Sequence, residues 1–177
     1  VGSEMCIRGS IYGVDENYLG TYGYQVKLGR GFTKGDYQNF RKVVLVDDNA
    51  ISALSLGKNP VGQVLEIQGE AYTIVGVVGM SQEFSPTINS MNDYQMYVGS
   101  SSGNIYLPSS VWPVSYRFDE PQNVAIKVAS TDEMATVGKN AADLLTERQI
   151  VGEDTGYDYR SQDLSLIHIS EPTRQEA

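Results

Sequence analysis

The segment from residue 64 to residue 78 constrains the fold of this chain more than any other. Two β-type runs, Val64–Ile67 and Tyr72–Val78, are separated by Gln68-Gly69-Glu70-Ala71. A short loop with a glycine between two such runs predicts a β-hairpin. Gly76, inside the second run, predicts a bulge or a close backbone contact. The chain is therefore expected to build its core on a sheet.

The residues around this hairpin predict further sheet and helix. Val43–Val46 are four consecutive aliphatic residues, typical of a buried strand. Asp47-Asp48-Asn49 then offers an N-cap for a short helix over Ala50–Leu56, which Gly57 would end. The remaining predicted elements in this half are a strand at 10–14, a short helical turn capped by Asp15, a strand at 24–28, a polar turn at 33–37 and a strand at 105–108.

The second half predicts a helix between two strands. Residues 123–128 alternate as a strand does, Ser130 to Glu133 form a helix start of capping type, and an apolar stripe continues to about Gln149. With a last strand at 157–160, this is a βαβ-like unit. Residues 80–104 show no period and predict a long loop with a short extended piece at 94–98. A partner-binding flap and an insertion without function both remain open for it.

The composition excludes nucleic acid as a partner. The chain has 13 Lys and Arg residues against 22 Asp and Glu residues, a net charge of −9. It has no basic cluster, and phosphate contacts need lysine and arginine. Anionic lipid headgroups would repel such a domain as well. Its 12 tyrosines, many beside Gly, Ser and Asn, indicate a partly exposed, β-rich surface.

Both ends of the chain resemble translated sequencing-adapter DNA. Met5-Cys6-Ile7 can be written ATG-TGT-ATA, and its reverse complement fits inside a sequence that encodes Leu166-Ile167-His168-Ile169. One DNA element, inverted at the two ends, would give both, so residues 1–10 and 164–177 are expected to be non-native tails. The single cysteine, Cys6, and the single histidine, His168, lie in these tails and support no nucleophile, general base or metal site.

Four patterns imitate functional sites. Asp47 and Asp48 form a carboxylate pair, but at a strand-to-helix junction we favour capping over metal binding. Gly99–Gly103 fits Gly-x-Ser-x-Gly without a strand-to-helix elbow or a native histidine. Ser55–Lys58 fits Ser-x-x-Lys, but the glycine inside it should end the helix that would align the pair. Gly29-Arg30-Gly31 is not expected to be a phosphate loop, because neither Gly-Lys-Ser/Thr nor a helix start follows it. We therefore assign no catalytic, cofactor-binding or metal-binding residue.

The ordered set of motifs resembles the extracytoplasmic core domain of MacB-type ABC transporter permeases. Each motif alone is unspecific, and their order over nearly all of residues 11–163 carries the resemblance. The matching motifs are Gly13, Asp15 and Tyr18, then Gly29-Arg30 and Phe32, the strand and helix at 43–56, Pro60-Val61-Gly62, the hairpin Leu65–Val78, Ile105–Pro108, and the strand, helix and strand at 123–160.

The resemblance implies an α+β fold with mixed β-sheets, few helices and two small subdomains. One subdomain would comprise 11–20 with 121–163, and the other would be an insertion, 21–120. It also implies a domain on the extracytoplasmic side of the cell membrane, without chemistry or cofactors of its own. Such a domain would couple cytoplasmic ATP hydrolysis to export or release of a peptide, antibiotic, toxin or lipoprotein.

The partners that the resemblance implies are the rest of the permease with its transmembrane helices, a cytoplasmic ABC ATPase, a second permease copy and an adaptor protein. Lipoprotein-releasing and cell-division relatives share this architecture. The hairpin 63–79 should be rigid, and residues 80–104 should be mobile or ordered by a partner.

Two other functions remain open. A freestanding cell-surface binding module would use the tyrosine-rich region 80–120 and carry a single membrane anchor. An enzyme would need a convergent site without a native histidine or cysteine.

Overall fold

The computed structural model describes residues 10–80, 84–86, 103–117, 123–148, 160–161 and 166–168 of the chain. The described residues form the strands β1 (Ser10–Val14), β2 (Tyr24–Gly29), β3 (Val43–Asp47), β4 (Val64–Ile67), β5 (Glu70–Met80), β6 (Phe84–Pro86), β7 (Asn104–Pro108) and β8 (Leu166–His168). They also form the helices α1 (Tyr18–Thr21), α2 (Lys34–Gln38), α3 (Asp48–Ala53), α4 (Trp112–Ser115) and α5 (Met134–Glu147), with 3-10 turns at Ser109–Val111 and Thr131–Glu133.

Strand β5 is the centre of a six-stranded mixed sheet. It pairs in parallel with β3 on one side. On its other side it pairs antiparallel with β4 along its first half and with β2 along its second half. Strand β3 continues the sheet through antiparallel β7, which pairs in parallel with β1. The sheet is mixed and the helices are few, as the sequence predicts.

The predicted hairpin is confirmed as β4 and β5, with a shorter loop than expected. Gln68 and Gly69 have φ values of 52° and 79°. Two successive left-handed residues are typical of a two-residue type I′ turn, which suits the twist of a hairpin. Strand β5 accordingly begins at Glu70, directly opposite Ile67, rather than at Tyr72.

Strand β3 is buried on both faces, as its run of aliphatic residues predicts. Val44 and Val46 pack on one face with Ile74, under residues of α3 and of the segment around α4. Leu45 packs on the opposite face with Tyr106, where α1 and Phe32 cover the sheet. Apolar burial on both faces is the main favourable contribution to folding here.

Two helices differ from their predicted bounds. The helix expected over Ala50–Leu56 spans Asp48–Ala53, because the Asp47 side chain caps it earlier and the chain leaves it at Ser55, which has a φ of 53°. The polar turn expected at 33–37 is helix α2. Thr33 and Asp36 cap its start reciprocally, and their Thr-x-x-Asp spacing is the sequence signal for it.

Near the start of the chain, the Asp15 carboxylate accepts hydrogen bonds from the amides of Asn17 and Tyr18 at 3.0 and 2.9 Å. Asp15 therefore bonds the first turn of α1 as predicted, although Asn17 occupies the N-cap position.

The strand predicted at 123–128 is wrong, since these residues form neither strand nor helix. Alternation yields a strand only against a partner, and no described strand pairs with it; Val124 and Ile126 are 52% and 48% exposed. The helix that follows is confirmed as α5, and Ser130 Oγ accepts the Asp132 amide at 3.3 Å. The strand predicted at 157–160 lies almost wholly outside the described residues, so the βαβ-like unit is not formed within them.

Several other predictions lie largely outside the described residues. Within the predicted loop 80–104, residues 84–86 form β6 and pair antiparallel with β8, whereas 94–98 lies outside. The expected tails stay a prediction. So does the expected division into two subdomains, although β1 and β7, which that division separates, are neighbours in one sheet.

Two glycines bring the start of the β2–α2 connection onto the middle of β5. Gly29 has a φ of 75°, and Arg30 N–H donates to Val75 O at 3.0 Å. A Cβ on Gly76 would lie 2.3 Å from Arg30 O. The register of β5 against β3 also shifts next to Gly76, between the partners of Val44 and Leu45. The bulge and the close contact predicted at Gly76 are both confirmed.

A buried ion pair fixes the same connection. The Asp36 carboxylate is fully buried, and the Arg30 guanidinium donates to it at 2.6 and 3.2 Å. Thr33 donates its amide and its hydroxyl to Asp36 Oδ2 at 2.8 and 2.9 Å. Burial by itself would raise the pKa of Asp36, but these donors outweigh it and lower the pKa from 3.8 to about 2.

We expect Gly76→Ala to lower the free energy of unfolding of the chain by about 2 to 3 kcal/mol, because its methyl group would overlap Arg30 O. Urea denaturation followed by the single tryptophan measures the change. Gly20→Ala is the matched control. A Cβ at Gly20 meets nothing within 4 Å, so the helix should be unaffected or slightly more stable. Equal losses in the two variants would contradict the contact.

We expect Asp36→Asn to lower the free energy of unfolding by about 2 to 4 kcal/mol at pH 7, since two arginines lose their buried partner. The folded-state pKa of Asp36 lies below its unfolded value. Its contribution to stability, about 2 kcal/mol, is therefore complete above pH 3.8 and is lost as the pH falls through about 2.

Urea denaturation between pH 2 and 6 tests this: wild type should lose stability in that window relative to Asp36→Asn. Asp143→Asn removes an exposed carboxylate that pairs with Lys139 at 2.6 Å, and it should follow the wild-type profile. Parallel profiles for wild type and Asp36→Asn would refute the assigned role of Asp36.

Candidate functional site

The two carboxylates of the candidate Asp47–Asp48 pair have separate partners. Asp47 Oδ1 accepts the Ala50 amide at 2.7 Å, which makes Asp47 the N-cap of α3. Asp48 lies in the first turn of α3 and forms an ion pair with Lys27, the bulged residue of β2. The capping role is confirmed. Among the residues that the structure describes, no three potential metal ligands lie close enough together to hold an ion.

The two motifs that imitate hydrolase sites do not assemble in the described residues. Residues 99–102 lie outside them. Gly103 has a φ of 82° and a Cβ there would lie 2.0 Å from Ala50 N, so close packing requires this glycine. Ser55 and Gly57 both have left-handed backbones. Ser55 and Lys58 are therefore not aligned on one helix.

The glycine-flanked Arg30 is followed by a helix start, contrary to the sequence interpretation. Helix α2 begins at Lys34. The groups that could hold a phosphate there are already engaged, because Arg30 and the Thr33 amide both donate to the Asp36 carboxylate. Arg30 and Asp36 therefore form a structural ion pair rather than a phosphate site.

Five tyrosines form a cluster on the sheet face under α1. Tyr106 is its buried centre, and the rings of Tyr12, Tyr18 and Tyr24 lie 5.8 to 5.9 Å from the Tyr106 ring. The ring of Tyr22 lies 4.6 Å from that of Tyr18. These are ordinary aromatic packing distances. The cluster stabilises the second face of the sheet and leaves the Tyr12 ring exposed.

Burial raises the pKa of the phenols of Tyr18, Tyr22, Tyr24 and Tyr106. These hydroxyls therefore stay protonated at neutral pH and provide no tyrosinate nucleophile. The expectation of partly exposed tyrosines holds for Tyr12. It is wrong for Tyr106 and also for Tyr72, which is buried with its hydroxyl 2.7 Å from Ser115 Oγ.

Helix α2 ends in a feature that the sequence analysis missed. Arg41 N–H donates to Asp36 O at 3.0 Å, and Phe40 N–H donates to Tyr37 O at 3.4 Å. These two bonds form a Schellman motif, whose left-handed position is usually glycine. Here it is Phe40, with a φ of 49° and a side chain that is 64% exposed. Because the sequence predicts a turn at 33–37 rather than a helix, it gives no signal for this cap.

None of the helices in the described part of the chain is both long enough and apolar enough to span a membrane.

Known proteins with similar sequences are ABC transporter permeases. The chain is 25% identical over 158 residues to the uncharacterized ABC transporter permease YvrN of Bacillus subtilis, covering 89% of this chain and 36% of that protein. It is 30% identical over 97 residues to the macrolide export ATP-binding/permease protein MacB of Aggregatibacter actinomycetemcomitans, covering 55% of this chain and 15% of that protein. The chain thus spans well under two thirds of either relative.

Two solved structures share the fold. The extracellular domain of the noncanonic ABC-type transporter YknZ from Gram-positive bacteria superposes with a TM-score of 0.60 at 19% identity, over 86% of this chain and 69% of that one. The periplasmic region of MacB from Actinobacillus actinomycetemcomitans gives a TM-score of 0.53 at 21% identity, over 77% of this chain and 55% of that one.

The profile of the family described as MacB-like periplasmic core domain matches residues 2–144, which is well over half of the chain. The resemblance to this family, which rests on the order of motifs in the sequence, is therefore confirmed. The chain belongs to the MacB-like periplasmic core domain family and is an extracytoplasmic domain of an ABC transporter permease.

Proposed function

We propose that this domain performs no chemistry and passes the motion of a permease, driven by a cytoplasmic ATPase, to a substrate outside the membrane. The observation that carries the proposal is the family match over residues 2–144. The proposed cargo is a peptide, antibiotic, toxin or lipoprotein that is exported or released. Macrolide export is part of the name of one relative, and for this chain it is one candidate within that class.

The packing of the domain supports a role as a rigid coupling element. A domain that transmits force has to move as a unit, and close-packed interiors deform little. Strand β3 is buried on both faces, and its partner β5 lies between it and two antiparallel strands. The Arg30–Asp36 ion pair fixes the connection between the sheet and α2. Displacement at one end of such a sheet is passed to the other end with little loss.

The proposed partners are the transmembrane helices of the same permease, a cytoplasmic ABC ATPase, a second permease copy and an adaptor protein. In this scheme the ATP chemistry belongs to another segment or subunit. One relative is named as both ATP-binding protein and permease, which supports an ATPase in the same assembly. The domain needs no nucleophile or metal for this task.

We expect nucleotide to change the distance between two copies of this domain in the full-length permease with its ATPase. A spin label at Glu66→Cys, on the exposed side of strand β4, reports that distance without knowledge of the substrate. All other cysteines of the full-length permease are replaced by serine. Electron–electron double resonance should show a shifted distance distribution with ATP and vanadate.

The matched control is the same labelled permease with a catalytically inactive ATPase. Its distance distribution should not show the shift that depends on ATP hydrolysis. A distribution that is the same with and without nucleotide would contradict coupling. The absence of any inter-copy distance would contradict the permease dimer. A complete reading frame with a single membrane anchor would favour the freestanding binding module based on 80–120, most of which lies outside the described residues.

A further inference from the structure

Phe40 occupies a backbone position that the fold itself would fill with glycine. A left-handed backbone costs a residue with a Cβ roughly 1 to 2 kcal/mol. Burial of a large aromatic ring could offset such a cost, but the Phe40 side chain is 64% exposed, the highest value among the large apolar side chains that the structure describes. Local stability therefore gives no reason for phenylalanine at the end of α2.

The other left-handed residues with side chains show how the fold treats such positions elsewhere. Ser55 ends α3 in the same hydrogen-bonded motif, with the Leu56 amide donating to Ile51 O at 3.0 Å. Gln68 lies in the hairpin turn before Gly69. Both side chains are polar and suit water. Among the described residues, Phe40 alone places an aromatic ring in solvent from a left-handed backbone.

Two arginines near Phe40 share a single carboxylate. Arg30 binds Asp36 in a two-pronged pair, and Arg41 Nη1 lies 3.7 Å from the same carboxylate. Two guanidinium groups thus share one carboxylate, and Arg41 has the longer and weaker contact with it. Their side chains are 57% exposed for Arg41 and 42% for Arg30. The next residue, Lys42, is paired with Glu70 at 2.5 Å.

We propose that Phe40 and Arg41, together the Phe40 surface, anchor an acidic segment of a partner protein that places an apolar contact on the ring and a carboxylate on the arginine. Exposed aromatic and arginine side chains are the residue types that carry most binding energy in protein interfaces. The exposed Arg41 guanidinium, held only by the longer contact with Asp36, favours a carboxylate on the partner, although the chain as a whole carries −9. At physiological salt, acidic groups more than about 8 Å away are largely screened.

The strained cap also prepares the ring for binding. Both amides of the Schellman motif are bonded, so the backbone of Phe40 is fixed before a partner arrives. A fixed anchor loses less conformational entropy on association than a mobile loop does. Phenylalanine at this position therefore lowers the stability of the free domain but strengthens its binding to the partner.

The test compares the 177-residue chain with its Phe40→Gly variant in selection from a displayed library of random 12-residue peptides. Peptides enriched on the wild type should combine Asp or Glu with apolar residues. A synthetic copy of the most enriched peptide should bind Phe40→Gly at least about tenfold more weakly. The thermal midpoint of Phe40→Gly should equal or exceed that of the wild type, because glycine fits the left-handed backbone.

Two further variants sharpen the test. Arg41→Glu should weaken the same peptide, and the affinity of the wild type should fall as salt is raised. Val124→Thr is the matched control, since it changes another exposed apolar side chain, 52% exposed, in a separate segment. Its affinity for the peptide should equal that of the wild type.

Four outcomes would overturn the proposal. One is a selection without any peptide that depends on Phe40, and another is enrichment of basic peptides. The third is a lower thermal midpoint for Phe40→Gly, which would give the ring a structural role. The fourth is a different occupant. Phe40-dependent binding to vesicles of three parts phosphatidylcholine and one part phosphatidylglycerol would assign the surface to a membrane. Phe40-dependent dimerisation in sedimentation would assign it to a second copy of the chain.

Discussion

The ion pair at the buried Asp36 carboxylate is the interaction on which the described part of this domain depends. The carboxylate receives the Arg30 guanidinium from the end of β2 and two donors from Thr33 at the start of α2. A single carboxylate thereby closes the connection between sheet and helix. Its removal would leave arginine side chains oriented towards a site without a counter-charge, which is why a lone buried partner is costly to lose.

This ion pair can form only because two backbones approach closely beside it. Gly29 turns the chain, Gly76 makes room for Arg30 O, and the register of β5 against β3 shifts beside Gly76. The position of the guanidinium therefore depends on residues of a strand more than 40 positions later in the chain. Packing on both faces therefore fixes the middle of the sheet, and the Arg30–Asp36 ion pair fixes the end of β2. Such a unit suits a protein that passes on motion rather than one that reshapes itself around a ligand.

The parts of the fold that the sequence predicts are those whose signals are local. The hairpin at 64–78, buried β3 and the contact at Gly76 follow from short patterns. Helix α2 did not, because Gly35 lies inside its Thr-x-x-Asp cap and favours a turn. The strand expected at 123–128 is wrong for a different reason. Alternation of apolar and polar residues does not supply a partner, and a strand forms only when it pairs with another strand. Composition likewise could not tell buried Tyr106 from exposed Tyr12, since both rings lie on one face of the sheet and differ in strand: Tyr12 is on the edge strand β1, and Tyr106 is on β7 between β1 and β3.

The exposed end of α2 follows from the same chemistry that stabilises its beginning. Asp36 can neutralise one arginine fully, and Arg30 takes the two-pronged geometry, so Arg41 stands at 3.7 Å with most of its charge towards solvent. The Schellman motif that positions Arg41 also requires a left-handed residue immediately before it. Phenylalanine in that position makes the helix end a fixed aromatic group beside a loosely paired arginine. Asp36 thus stabilises the fold, whereas exposed Phe40 and Arg41 have the side-chain types that suit a binding surface.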